Sequence, residues 1–87
     1  MQKEKKQIIL NTIAKIIRKH IPKGKSASTL AAEYGLSTSI ISKVLKGEKN
    51  ISFTTLFMII EIFKIGLIEF MIEFVEELVK YFTTLDL

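Results

Sequence analysis

Gly35, Gly47, the Pro22 and Gly24 turn, and the junction from Lys64 to Gly66 cut this 87-residue chain into pieces, each carrying its apolar residues at helical spacing. Proline cannot continue a hydrogen-bonded helix, and glycine alone adopts positive φ without a steric penalty, so these positions end elements rather than interrupt them. The pattern predicts an all-α fold: a five-helix bundle with a long C-terminal helix, in one domain over residues 1–87.

The first helix, expected over 3–20, places Ile9, Ile13, Ile16 and Ile17 on one stripe, widened by Ile8 and Leu10, with Lys5, Lys15, Arg18 and Lys19 opposite. Ser26 is placed to cap a short second helix whose buried stripe is Leu30, Ala31 and Tyr34; Gly35 then turns the chain and Leu36 plugs it. Ser37 is expected to cap the third helix, which turns Ile41, Val44 and Leu45 inward and leaves Thr38, Ser39, Ser42, Lys43 and Lys46 outside. Gly47 closes that helix. After a polar loop, Ser52 caps a fourth helix running to about Phe63, with Phe53, Leu56, Ile59, Ile60 and Phe63 at core spacing. The fifth spans 67–85 and has Glu69, Glu73, Glu76 and Lys80 on one line, with apolar residues nearly everywhere else.

Composition removes several functions. Without cysteine there is no disulfide scaffold and no thiolate chemistry, an absence that fits a reducing compartment. The apolar stretch from Ile8 to Ile17 is broken by Lys15 and followed by Arg18, Lys19 and His20, unlike a secretory leader, and no later span approaches the ~20 apolar residues of a membrane helix. A soluble, cytoplasmic protein is expected. His20 is the single histidine and has no partner at metal or acid–base spacing; Glu73, Glu76 and Glu77 read as a solvated face rather than a carboxylate metal site. There is no phosphate-cradling glycine loop, nucleophile elbow or paired acid, so no metal, no cofactor, no small-molecule ligand and no enzymatic activity are expected. The net charge of +4 is unevenly spread: +7 over residues 1–25, +1 over 26–50 and −4 over 51–87. The front of the chain is therefore the side suited to a polyanion.

Residues 26–46 hold two short helices joined at Gly35. Such a pair can stand one helix clear of the domain, with small or flexible polar groups on its outer face, while its predecessor braces it, and this is what reading a DNA groove requires. Leu30–Ala31, Gly35–Leu36–Ser37, Ile41–Ser42, Gly47 after a basic residue, Asn50, Ser52 and Leu56 resemble the pattern of the lambda-repressor-like (Cro-type, XRE) helix-turn-helix family. The resemblance covers about half the chain. It implies that Thr38, Ser39 and Lys43 look toward base edges, and that Ser26, Ser28, Lys46, Lys49, Asn50 and Ser52 look toward phosphates. Ser42 shares the outer face and joins the base-contact set; Ser37 is first a cap and secondarily a phosphate contact at the helix start. Three positions depart from the family pattern: Ala27 where a Gln commonly opens the second helix, Leu45 where a Glu is usual, and Ile51 where a Pro is usual. Ile40 is placed either to touch a thymine methyl or to pack against the second helix.

The large apolar side chains of the fifth helix exceed what so small a core hides. One account folds that helix back over helices one and four. The account preferred here buries its second face against a symmetry mate through Phe70, Met71, Phe74, Leu78, Tyr81 and Phe82, making a homodimer. The expected function is sequence-specific binding of double-stranded DNA as a transcriptional regulator, a repressor in view of the chain's small size, on an inverted repeat. The alternative is a helical protein-interaction module that keeps the helix-turn-helix scaffold and works through its apolar C-terminal helix.

Overall fold

The computed structural model describes the backbone of residues 2–48 and 50–86 and the side chains of 4–48 and 50–82. Five helices follow one another: α1 (Gln2–Lys19), α2 (Ala27–Glu33), α3 (Thr38–Leu45), α4 (Phe53–Ile62) and α5 (Leu67–Asp86). They fall where the apolar periodicity and the breakers put them, and the all-α expectation holds. No helix among the described residues is long and apolar enough to cross a membrane.

Local chemistry explains most of the boundaries. Ser26 and Ser52 are N-caps, their Oγ atoms accepting from the amides of Thr29 at 3.1 Å and Thr55 at 3.2 Å. At Ser37 the expectation fails: it occupies the cap position of α3, but its side chain makes no capping hydrogen bond. The C-termini of α2, α3 and α4 share one closing turn. In each, a residue at positive φ follows the cap, and two amides reach back to the helix's last free carbonyls. Gly35 (φ 78°) donates to Ala32 O at 3.1 Å and Leu36 to Ala31 O at 2.9 Å; Gly47 (φ 69°) donates to Val44 O at 3.0 Å and Glu48 to Lys43 O at 2.9 Å. After α4 the same place is taken by Lys64 (φ 56°), and Ile65 donates to Ile60 O at 2.9 Å. The left-handed residue at that junction is Lys64 and not Gly66.

The core gathers one stripe from every helix: Ile13, Ile16 and Ile17 from α1, Leu30 and Ala31 from α2, Ile41 and Val44 from α3, Ile59, Ile60 and Ile62 from α4, and Phe70 from α5. α1 lies against both α3 and α5, and α2 against α3 and α4. Helix α5 runs antiparallel to α1, as its side-chain partners show: Glu73 meets Lys19 (3.4 Å) and His20 (3.2 Å), Glu77 meets Lys15 (3.0 Å), and Phe82 lies under the Lys5 ammonium with its ring centroid 5.9 Å away.

This packing corrects two expectations. Phe70 cannot belong to a seam with another molecule, because it is 1% exposed inside its own subunit, and Phe74 stacks on it with ring centroids 5.8 Å apart. Leu78 and Phe82 are half-buried, whereas Met71 and Tyr81 are exposed. Glu73 and Glu77 are not a purely solvated face either, since they neutralise α1. Burial opposes ionisation of Glu73, but hydrogen bonds from His20 and Lys19 outweigh it and hold the carboxyl below its ordinary range. Hydrogen bonds from Lys15 and Lys80 do the same for Glu77.

Candidate nucleic-acid interface

Helix α3 is amphipathic in the sense a reading helix needs. Ile41 is 0% exposed and Val44 3%, while Thr38, Ser39 and Lys43 point outward and are exposed. Ser42 is half-buried and so less available than the other three. Ile40 is half-buried and packs against the core, the inward of the two roles open to it.

The residues expected near phosphates divide by what their side chains already do. Ser26 and Ser52 are exposed, but each hydroxyl accepts an amide and donates to the threonine three residues on, Ser26 to Thr29 Oγ1 at 2.7 Å and Ser52 to Thr55 Oγ1 at 2.9 Å. Ser37, with no capping bond, is the serine whose hydroxyl the helix does not use. Ser28, Lys46 and Asn50 are exposed; Lys49 lies outside the described residues.

The departures from the family pattern have packing explanations. Ala27 is 8% exposed and sits in the core cluster; Leu45 and Ile51 pack against that cluster. At Ala27 and Leu45 apolar burial stands where the family pattern has a polar side chain.

Charge is distributed differently from the sequence expectation. Lys15 and Lys19, two of the eight cations in the first 25 residues, face the glutamates of α5 and are neutralised within the fold. Arg18 is directed to α3, where its Nη1 donates to the Leu45 carbonyl oxygen. Lys43 and Lys46 enter none of the ion pairs among the described residues and are exposed. α3 and its cap thus present two cations to a polyanion without internal competition from a carboxylate among the described ion pairs.

Sequence reasoning missed the side of α1 that supports α3. Gln7, Asn11 and Arg18, four and seven residues apart, share one face, and Gln7 Nε2 donates to the Gly47 carbonyl at 2.9 Å. The spacing of these polar residues was the available signal.

No curated protein and no solved structure matches the chain. A family model described as Helix-turn-helix matches residues 12–70, from the middle of α1 to the start of α5 and thus over the whole of α2, α3 and α4, and the chain belongs to that helix-turn-helix family.

Proposed function

We propose that the protein is a sequence-specific DNA-binding regulator of transcription, a repressor that acts in the cytoplasm as a homodimer on an inverted-repeat operator. The family is one of DNA-binding transcription regulators, not of enzymes. The observation that carries the reading is the division of α3: Ile41 and Val44 locked in the core, and Thr38, Ser39 and Lys43 exposed on its outer face. In this reading α3 enters the major groove, Lys43 and the two hydroxyls meet base edges, and Lys46, Asn50, Ser28 and Ser37 meet phosphates.

The dimer is supported by the outward side of α5. Ile68, Ile72, Val75 and Val79 are spaced four, three and four residues apart, the repeat of a two-helix seam, and are 76%, 54%, 52% and 50% exposed. With Met71 they leave roughly 500 Å² of surface on one stripe, the size of the largest apolar patch on a typical small protein, which is often functional. A two-fold seam would set the paired α3 helices to face successive major grooves, about 34 Å apart.

The test is titration of labelled duplex selected from random DNA, at two salt concentrations. The reading expects a steep loss of affinity with salt, a two-fold symmetric selected site, and loss of specific binding in Lys43→Ala but not in Lys80→Ala. A second reading, a protein-interaction module, is favoured by the exposed Phe53 and Phe57 of α4, whose rings lie 4.6 Å apart, together with the α5 stripe. It expects no selected sequence at either salt concentration.

A further inference from the structure

The far end of α3 is held by α1, across 40 residues of sequence. Gln7 Nε2 is shared between two acceptors at 2.9 Å each, Asn11 Oδ1 and the Gly47 carbonyl oxygen. Two residues earlier, at the last residue of α3, the Leu45 carbonyl accepts from Arg18. Carbonyls at a helix C-terminus have no partner within the helix, so α1 supplies what α3 cannot supply for itself. The approach is close. A Cβ built on Gly47 would stand less than 3.0 Å from Asn11 Oδ1, and the glycine is itself buried. Only a residue without a side chain lets the Gln7–Asn11 pair lie flat on that turn.

We propose that Gln7 and Arg18, with Asn11 orienting Gln7, are positioning residues for recognition: they fix the direction in which α3 leaves the domain, and hence where Lys43 and Lys46 stand against DNA. None of the three needs to touch DNA for this. The other flank of α1 is fastened to α5 through Lys15–Glu77 and Lys19–Glu73, so α1 also connects the helix that reads with the helix that carries the exposed stripe. A base-reading side chain must be held to within about 0.5 Å, which a short helix anchored only by its own apolar stripe does not secure. The inference rests on the DNA-binding reading above.

The experiment compares wild type, Gln7→Met, Arg18→Met and Arg18→Lys on the selected duplex and on a scrambled duplex at one salt concentration. Methionine keeps the length of Gln7 and removes both donated hydrogen bonds. Expected is about a tenfold loss of affinity for the selected site in Gln7→Met and Arg18→Met, with less than about a twofold change on scrambled duplex. Arg18→Lys, which keeps a donor, should recover much of the loss. Equal losses on both duplexes, or no loss on either, overturn the proposal. If wild type itself prefers no sequence, the DNA-binding reading is what fails, and amide exchange of the free protein then decides the clamp. Lys46, Gly47 and Glu48 close the end of α3 with amide hydrogen bonds, and in Gln7→Met they should exchange at least about tenfold faster; unchanged exchange there overturns the clamp.

Discussion

An alanine at position 47 meets two separate penalties, and an alanine at position 35 only one. Both glycines sit at positive φ, 69° and 78°, where an L side chain costs about 1–2 kcal/mol; a stiffer unfolded chain returns about 0.4–1 kcal/mol of this. Around Gly35 nothing lies within 4 Å of the added Cβ, so Gly35→Ala should cost only this backbone difference, about 1 kcal/mol. At Gly47 the Cβ also collides with Asn11 Oδ1, and moving that carboxamide aside sacrifices the bond from Gln7, adding about 1 kcal/mol or more. Gly47→Ala should therefore destabilise wild type by about 2–3 kcal/mol, but the Asn11→Ala protein, which already lacks the bond from Gln7, by only the backbone part of about 1 kcal/mol. Urea unfolding followed by circular dichroism measures wild type, the three single variants and the Asn11→Ala/Gly47→Ala double variant, with the transition midpoint reporting stability and an unchanged slope confirming a common two-state process. Equal losses at positions 35 and 47, or the same cost of Gly47→Ala with and without Asn11, would refute this account of the α1–α3 contact.

Other substitutions separate the two sides of α5. Phe70→Ala should cost about 3–5 kcal/mol in thermal or urea unfolding because the ring is fully enclosed by its own subunit. Ile72→Lys should leave the fold intact and convert a sedimenting dimer to a monomer; a monomeric wild type at tens of micromolar would remove the seam. Lys64→Gly should stabilise by about 0.5–1 kcal/mol, since lysine is held at φ 56° where glycine carries no Cβ penalty. Glu73 and Glu77 both have depressed pKa values in the folded protein, so their contribution is fully present above the ordinary glutamate value of 4.5 and disappears as pH falls through the lower folded values. The melting temperature of wild type should therefore fall below that pH more steeply than that of Glu73→Gln/Glu77→Gln, and parallel profiles would show that the α1–α5 ion pairs contribute nothing.

The acidic line on α5 and the basic face of α1 were both visible in the chain, but their meeting was not. Periodicity shows which residues share a face of one helix; it does not show which helix that face will meet. By pattern alone Lys15 and Lys19 belong to a polyanion-binding face, whereas in the fold α5 lies antiparallel along them. Large apolar side chains place the expected seam at Phe70, Met71, Phe74, Leu78, Tyr81 and Phe82, because side-chain size dominates an estimate of burial. The smaller Ile68, Ile72, Val75 and Val79 are the ones left outside, and their four-three-four spacing could have identified them.

What the residues determined alone was local: five helices, two serine caps, turns at Gly35 and Gly47, and an α3 with hydroxyls and a lysine opposite Ile41 and Val44. These follow from interactions within a few residues, which the order of amino acids encodes directly. Only the tertiary structure decided that Gln7, Asn11 and Arg18 support α3, that Phe70 is enclosed, and that Lys15 and Lys19 of α1 pair with α5. Those outcomes depend on how rigid helices pack around a shared core, where partners stand tens of residues apart and no short-range pattern names them.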